Sequence, residues 1–357
     1  MGYAAARGGL TAIRAAENLV QRLREQARSS PPSGEQLIDH FGALVDRVMG
    51  EGGVWDPRLA ATALRQAGGD PIEAAHLIRS YRSTLAVVAI ANANADDIEI
   101  LRRIVPAYRT PPGPQLLGAT ADYTGRILEV SSHAGAANRD EAAPLGSEES
   151  SVHRDDIDRR PRRLIALLRD QGLLVDRRRT DDPDPIDITQ VAARPPAPRS
   201  ARLSAMARAE TGALVNQWYR NILGPDGYLH EITLGEVRHG RLPVRMKHPR
   251  TGGAVTVTHV RVTEVEAIED LDGIDEDRTK LDVGYGLCFG HNEKKAIAMA
   301  NLDIACHRDN GQSQLEQSLL LTTDGLEATG FLEHLKLPHY VTFRSIVERK
   351  LASRRTP

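Results

Sequence analysis

A glycine-rich segment in the last quarter of the chain has residue types suited to phosphate binding. It reads Gly284-Tyr-Gly286-Leu-Cys-Phe-Gly290-His-Asn-Glu-Lys294-Lys295 and falls between a β-like run and a predicted helix start. Backbone N–H groups of such a turn and the positive end of the helix can approach a phosphate, and the two lysines add positive charge. The spacing G-x-G-x-x-x-G matches neither the dinucleotide fingerprint nor the Walker loop, so a glycine-rich strand end is the alternative interpretation.

A second candidate is the histidine pair His334 and His339, in the segment His-Leu-Lys-Leu-Pro-His-Tyr. Pro338 precedes the second imidazole, so the pair cannot lie on one continuous helix face, although it can converge across a turn. Neutral imidazole suits zinc, but two ligands are too few, and a third would come from elsewhere in the chain or from a partner. Structural histidines that make ordinary hydrogen bonds are the alternative.

Three short polar segments carry carboxylate, guanidinium or hydroxyl groups suited to sugar or phosphate contact. They are Arg79-Ser-Tyr-Arg82-Ser-Thr84, Gln115-Leu-Leu-Gly118 with Asp122-Tyr123, and Gly235-Glu236-Val-Arg238. Such groups are equally common on helix surfaces and in hairpins. The sequence has no nucleophile elbow, no nucleophilic Cys-His arrangement and no kinase signature.

The overall charge argues against a general electrostatic attraction to nucleic acid. The 357 residues include 46 basic and 48 acidic side chains, a formal net charge of −2, and only 4% are aromatic residues that could stack on bases. Six of the bases are lysines and 40 are arginines. Genomic codon bias explains such a ratio, and so does a protein that handles polyanionic ligands, because guanidinium groups bind phosphate oxygens in pairs.

The sequence predicts a cytoplasmic protein without a membrane segment. The longest apolar stretch, Leu85 to Ala91, is far shorter than the roughly 20 residues that span a bilayer, and the N-terminus lacks a signal-peptide core. Cys288 and Cys306 are the only cysteines, too few for a disulfide framework or for the usual thiolates of an iron–sulfur cluster. Any radical chemistry must therefore belong to another chain.

The pattern of elements predicts an α+β fold. We expect a helical N-terminal domain over residues 1–130, a Pro/Arg/Asp-rich connection over 131–200, and a mixed α/β C-terminal domain with an antiparallel sheet over 201–357. Asp56 and Asp70, each followed by a proline, are typical helix starts. In the connection only the stretch from Arg163 to Gln171 resembles a helix.

Two details of the sheet can be predicted. The runs from Glu236 to Arg238 and from Leu242 to Val244 flank His239-Gly-Arg241 and predict a β-hairpin, in which Pro243 requires an edge position. The alternation of valines slips by one residue between Val257 and Val260, which indicates a β-bulge.

Taken together, several segments resemble the PhnI family, a subunit of the bacterial carbon–phosphorus lyase core complex. In this sequence the matching segments are Gly2 to Gly9, Val45 to Gly53, Leu77 to Leu85, Gln115 to Gly118, Asp122 to Thr124, Gly284 to Gly290 and His334 to Val341. They occur in order over nearly the whole chain. Residues 131–200 match poorly.

The resemblance implies a role in phosphonate breakdown. With partner subunits, the family displaces adenine from the anomeric carbon of MgATP by an alkylphosphonate, giving ribose 1-alkylphosphonate 5-triphosphate. The subunit alone is associated with release of the base from purine nucleoside triphosphates. Pyrophosphate removal and radical cleavage belong to other proteins, among them an iron–sulfur radical subunit, and the resemblance implies zinc bound by His334 and His339 at the boundary with that subunit.

The reaction implied by the resemblance needs an acid for the departing base and negative charge near the sugar, by analogy with glycoside hydrolysis. Asp122 and Glu236 are the candidate catalytic residues. Cations for the triphosphate would come from Arg82, Arg238, Lys294 and Lys295, with Mg²⁺ bridging phosphate oxygens, and Gly284, Gly286 and Gly290 would form the phosphate loop.

Two other interpretations remain open at this point. A non-catalytic structural subunit of the same complex would support partners and contribute only part of a shared site. An independent zinc hydrolase is disfavoured, because no third histidine or acid stands at metal-ligand spacing from the pair.

Overall fold

The computed structural model describes residues 9–128, 161–175, 184–223, 232–270, 279–308, 314–321 and 323–355. The chain divides into two compact units that are each discontinuous in sequence. The first unit comprises Met1–Leu85, Arg208–Ala213 and Leu321–Pro357, and the second comprises Ala86–Ala207 and Leu214–Leu320. None of the helices in the described ranges is long and apolar enough to cross a membrane.

Twelve α-helices and four strands are formed by the described residues. The helices are α1 Gly9–Glu25, α2 Gly34–His40, α3 Gly42–Gly52, α4 Pro57–Gln66, α5 Pro71–Arg82, α6 Leu164–Asp170, α7 Arg199–Arg208, α8 Thr211–Leu223, α9 Glu293–Arg308, α10 Gln314–Leu321, α11 Gly325–Glu333 and α12 Tyr340–Ser353. Short 3₁₀ turns lie at Ala95–Asp97, Thr124–Arg126 and His334–Lys336. The strands are β1 Glu99–Ile104, β2 Ile232–Lys247, β3 Ala254–Asp270 and β4 Leu281–Phe289.

The first unit is helical, as predicted for the start of the chain. Asp56 and Asp70 accept hydrogen bonds from N–H groups in the first turns of α4 and α5, and each is followed by proline at the first helical position. Helices α2 to α5 bury one apolar cluster that includes Val48, Met49 and Leu64. The predicted caps therefore begin the helices that form this core.

The second unit contains one antiparallel sheet with the strand order β1-β2-β3-β4. The α+β fold class is thus confirmed. Strand β1 lies inside the range predicted to be helical. The sequence did not indicate this strand, because its six residues include two adjacent arginines and show no clear apolar alternation. The helix expected between Arg163 and Gln171 is confirmed by α6, whereas much of the predicted connection, residues 131–160 and 176–183, lies outside the described residues.

The predicted hairpin at His239-Gly-Arg241 is wrong, because β2 runs through this segment without a turn. Gly240 allows the close approach of β1, whose Glu99 carbonyl would overlap with a side chain there. Pro243 lies beyond the last residue pair between β1 and β2, which is Glu99 opposite Arg241. Its missing N–H group therefore breaks no hydrogen bond between these two strands. The predicted bulge is confirmed, because Val257 is the extra residue where the register of β2 and β3 shifts.

The glycines of the predicted phosphate loop divide into two kinds. Gly284 and Gly286 lie within β4, where a side chain would overlap with the backbone carbonyl groups of Ala300 and Ala296 in α9. They are packing positions that let a helix lie directly on a strand. Only Gly290 lies in the turn before α9, with a φ of 76° that favours glycine.

This packing predicts that Gly286→Ala is destabilising. The added methyl group would lie 2.8 Å from Met299 Cβ as well as against the Ala296 carbonyl oxygen, so α9 must move away from the sheet. We expect the free energy of unfolding to fall by about 1 to 3 kcal/mol in chemical denaturation. Gly253→Ala is the matched control, because its nearest neighbour would be Thr251 Oγ1 at 3.6 Å, and equal effects of the two substitutions would contradict the interpretation.

Candidate functional site

One face of the sheet carries two rows of charged and polar side chains. In the first row, Arg103 of β1 lies opposite Arg238 of β2, which lies opposite Glu264 of β3. The second row is two residues away along the strands, and there Glu236 of β2 lies opposite Glu266 of β3, which lies opposite Tyr285 of β4. Residues two apart share a face of a strand, so both rows project from the same side. We refer to these side chains together with Arg163 as the sheet cluster: Arg103, Arg163, Glu236, Arg238, Glu264, Glu266 and Tyr285.

Glu236, a predicted catalytic residue, is an ion-pair partner within the sheet cluster. Its Oε1 accepts a hydrogen bond from Arg103 Nε at 2.7 Å, and its Oε2 accepts one from the backbone N–H of Leu164 at 2.9 Å. Both side chains of the ion pair are fully buried. With both oxygens engaged, Glu236 holds the start of α6 on the sheet and is poorly placed to donate a proton.

Arg163 connects the two acids on β3, and Arg238 binds one of them. Arg163 donates to Glu264 at 2.9 Å and to Glu266 at 2.8 Å, and its Nε lies 2.8 Å from the carboxylate of Asp96. Arg238 donates through Nη2 to the other oxygen of Glu264. Burial of arginine is costly unless its charge is paired, so these contacts account for two buried or half-buried guanidinium groups in the middle of a fold.

Glu266 is the one acid in the sheet cluster with an unused oxygen. It is 5% exposed, and its buried Oε2 has no hydrogen-bond partner. Burial, together with the neighbouring Glu264 carboxylate, raises the pKa of Glu266 to about 7. The hydroxyl of Tyr285 donates a hydrogen bond to Glu264 at 2.9 Å. Burial and the nearby Glu264 carboxylate raise the pKa of Tyr285 as well.

Glu266 was not among the predicted site residues. The sequence signal that could have identified it is the alternation of Thr263, Glu264, Val265 and Glu266 in an otherwise apolar strand. Alternate acids on a central strand must face the same side of the sheet, where they need partners. A carboxyl with a pKa near neutrality is able to act as a proton donor or acceptor at physiological pH.

A cavity of about 370 Å³ lies beside the sheet cluster. Its charged walls are Asp96, Arg163 and Arg238, and the rest of its lining is mainly apolar. The apolar lining consists of Ile98, Ile100, Pro161 and Ala166. Apolar walls with a few convergent polar groups are typical of small-molecule sites.

The opposite face of the sheet holds a second group, the α9-start cluster: Arg102, Asp122, His239, His291 and Glu293. Arg102, the neighbour of Arg103 on β1, donates to Glu293 at 2.5 Å and to Asp122 at 2.6 Å. The predicted catalytic pair is therefore separated, because Asp122 and Glu236 are bound by consecutive arginines that point to opposite faces.

The contacts of Asp122 favour its ionised form. Its carboxylate also accepts a hydrogen bond from Arg126 at 2.6 Å. The hydrogen bond with Thr120 and the charge of Arg102 lower the pKa of Asp122, and hydrogen bonding to His291 together with Arg102 lowers the pKa of Glu293. Such carboxylates can provide negative charge but are poor proton donors.

The two histidines of the α9-start cluster stack, with ring centroids 4.2 Å apart. Burial and the nearby His291 lower the pKa of His239 to about 4, so its ring is neutral at pH 7. The hydroxyl of Thr263 donates its one hydrogen to the carbonyl of Gly290 at 2.7 Å. Its oxygen can therefore only accept a hydrogen bond from His239 Nδ1, which lies 3.2 Å away. We therefore assign the proton of neutral His239 to Nδ1.

The two lysines of the predicted phosphate loop differ in their surroundings. Lys294 is exposed and Lys295 is buried in the first turn of α9. The turn itself is held by Thr263, which accepts a hydrogen bond from the N–H of Asn292 at 3.1 Å. Of the loop predicted from the glycine spacing, only Gly290, Lys294 and Lys295 lie at the start of the helix.

The remaining predicted residues, Arg82, His334 and His339, belong to the first unit. The two imidazoles converge across the turn, with ring centroids 5.6 Å apart and planes nearly perpendicular. His339 Nε2 lies 3.3 Å from the backbone carbonyl oxygen of His334. Two imidazoles fit half of a tetrahedral zinc site, and the described residues contain no group of three potential metal ligands.

The raised pKa of Glu266 predicts a pH-dependent stability difference. Between its ordinary value of 4.5 and about 7, the folded protein retains a proton that the unfolded chain releases, so this group makes the free energy of unfolding fall as pH rises. Glu266→Gln removes that loss. The unfolding free energy of the variant minus that of the wild type should therefore rise by about 3 kcal/mol across this window.

Chemical denaturation of both proteins at several pH values measures this difference. Comparing the two proteins cancels the opposite contribution of His239, whose lowered pKa makes stability rise with pH. Glu99→Gln, which replaces an exposed acid on β1, is the matched control, and the change for Glu266→Gln should exceed the change for Glu99→Gln. A constant difference for Glu266→Gln would show that Glu266 is ionised in the fold.

Comparison with known proteins agrees with the resemblance seen in the sequence. Residues 2–356 match the family model described as bacterial phosphonate metabolism protein (PhnI). The chain is 38% identical to a putative C-P lyase subunit protein HtxH of Stutzerimonas stutzeri, over 98% of this chain and 95% of that protein. It is 36% identical to the alpha-D-ribose 1-methylphosphonate 5-triphosphate synthase subunit PhnI of Escherichia coli strain K12, over 97% and 96%.

A further relative with the same subunit name, from Rhizobium meliloti strain 1021, is 35% identical over 96% of this chain and 92% of its own length. These matches extend across both compact units. The chain belongs to the PhnI family of bacterial phosphonate metabolism proteins.

Proposed function

We propose that this chain takes part in displacing the purine base of MgATP by an alkylphosphonate to form ribose 1-alkylphosphonate 5-triphosphate. A phosphonate oxygen forms a bond to C1′ of the ribose, the bond from C1′ to the purine nitrogen breaks, and the base leaves with a proton. With water as the nucleophile, the chain alone releases base from purine nucleoside triphosphates. The names of the Escherichia coli and Rhizobium meliloti relatives support this proposal.

The observation that carries the proposal is a carboxyl group with a pKa of about 7, Glu266, held by an arginine that lines a cavity. Departure of a purine requires an acid, and positive charge develops on the sugar as the bond breaks. In the proposed reaction Glu266 donates the proton and Glu264 provides negative charge. A substrate phosphate that takes over the donors of Arg163 releases Glu266 toward the departing base.

Arg163 and Arg238 are the proposed partners of the triphosphate, because both line the cavity and a guanidinium group can bind two phosphate oxygens at once. Mg²⁺ would arrive with the nucleotide and bridge its phosphate oxygens, as is usual for this ion. The chain's own residues then orient the substrate and supply the proton.

A structural subunit is the second candidate function, and two observations favour it. The Arg103–Glu236 ion pair is fully used within the fold. Large apolar side chains around the end of α11 and the start of α12 are exposed, among them Phe331, Leu332 and Phe343. Exposed apolar surface of this kind is typical of a protein that binds partners, which we propose are the other subunits of the carbon–phosphorus lyase complex, including the iron–sulfur radical subunit.

The two functions are separated by incubating the purified chain with MgATP or MgGTP and measuring free base by chromatography. If the chain is a nucleosidase, base is released, and Glu266→Gln lowers kcat by about 100-fold or more, the usual contribution of a general acid. The matched control Glu99→Gln should keep wild-type activity. No base release by the folded wild-type chain would support the structural subunit, and full activity of Glu266→Gln would exclude Glu266 as the acid.

We also propose that His334 and His339 contribute to a zinc site completed by a partner subunit. The convergence of two imidazoles across one turn supports this assignment. In the assembled complex, joint substitution of both by alanine should lower the zinc content measured by elemental analysis. The control replaces His40 and His76, two exposed histidines of the same unit. Unchanged zinc in the His334/His339 variant would rule out the site.

A further inference from the structure

The cavity beside the sheet cluster has an acidic residue, Asp96, in its lining. The carboxylate of Asp96 lies 2.8 Å from Arg163 Nε, and 68% of its side chain is exposed. An ionised carboxylate has two oxygens that can accept about four hydrogen bonds, so the contact with Arg163 does not exhaust its acceptor capacity. Neither proton donation by Glu266 nor phosphate binding by the arginines uses this acceptor.

The backbone around Asp96 is held in place by neighbouring residues. Asp96 lies in a short 3₁₀ turn, where its N–H donates to the side chain of Asn94 at 3.0 Å. The next residue, Asp97, forms an ion pair with Arg245 of β2. Ile98, which follows the turn, is buried. A residue that is fixed on both sides loses little conformational freedom when it contacts a ligand, which favours binding.

The charges in the cavity lining restrict how a nucleotide can lie there. A triphosphate is attracted by Arg163 and Arg238 and repelled by the Asp96 carboxylate. The base is uncharged and suits the apolar part of the lining, which includes Ile100 and Ala166. The base is therefore the part of the nucleotide that can lie next to Asp96 without repulsion.

A carboxylate at this position favours a base that carries N–H groups. An ionised carboxylate accepts hydrogen bonds and donates none. Adenine and guanine each carry an exocyclic amino group on the edge of the ring, and such a group is a hydrogen-bond donor. A site that binds an N–H group of its ligand discriminates strongly against an analogue that lacks this group.

We infer that Asp96 accepts a hydrogen bond from the exocyclic amino group of the base and so determines which nucleoside triphosphate binds in the cavity. This assignment rests on the proposed function for the presence of a nucleotide, and it adds the residue that selects the base. Asp96 acts on specificity and takes no part in proton donation by Glu266. Its substitution therefore changes the preference between bases.

The test compares ATP with purine riboside 5′-triphosphate, which differs from ATP only in lacking the amino group. Calorimetric titration of the full-length chain with the Mg²⁺ complex of each nucleotide gives the two dissociation constants. The wild type should bind ATP about tenfold or more tightly than the analogue, the usual effect of a hydrogen bond to a charged group. Asp96→Ala should bind the two nucleotides with equal affinity.

Glu99→Ala is the matched control, because it removes an exposed acid of β1 that does not line this cavity. It should keep the wild-type preference for ATP. The preference is a ratio of two affinities within one protein, so an effect of Asp96→Ala on triphosphate binding through Arg163 cancels. The comparison in the wild type is decisive by itself if Asp96→Ala does not fold.

Equal binding of the two nucleotides by the wild type, or an unchanged preference in Asp96→Ala, would overturn the role of Asp96. Base release from MgATP, measured in parallel by chromatography, separates this result from the proposed reaction. A preference for ATP without base release would contradict the reaction and support recognition of the base by Asp96. Absence of binding to either nucleotide would overturn both proposals.

Discussion

The second unit depends on how its sheet neutralises buried charge. Transferring ions from water to a protein interior costs several kcal/mol each, and the cost is recovered only when every ion is paired in good geometry. The sheet cluster meets this condition with shared partners: Glu264 accepts from two arginines and a tyrosine, while Arg163 reaches three acids. Lysine, with one nitrogen, could not make the same bridges, so the arginine-rich composition has a structural use here.

The same arrangement explains why Glu266 differs from its neighbours. Three acids and three arginines share the buried surface, but arginine donors reach only one oxygen of Glu266, and the other has no partner. The protonated form of Glu266 is then lower in free energy than a second carboxylate beside Glu264. Strand register thus determines proton affinity, because it places Glu264 and Glu266 on one side of β3 and their cations around them.

Local signals were sufficient to predict some features and insufficient for others. The caps at Asp56 and Asp70, the bulge at Val257 and the helix α6 follow from short-range rules. The hairpin at His239 was wrong because glycine also serves where two strands approach closely, and a single sequence does not distinguish these uses. The sequence could not show that Asp122 and Glu236 lie on opposite faces of the sheet. Their partners, Arg102 and Arg103, are adjacent in sequence and differ only in the face of β1 to which they point.

The hydrogen bond between Arg79 and Asp324 joins residues 245 positions apart within the first unit. Its segments Met1–Leu85 and Leu321–Pro357 lie before and after the second unit in the sequence. At about 5 to 20 residues per second, its N-terminal helices leave the ribosome tens of seconds before α11 exists. During synthesis the surface that will receive Asp324 must stay exposed, whereas the second unit can complete its sheet as soon as β4 emerges. The contact between α5 and Asp324 can therefore form only after the whole second unit has been synthesised.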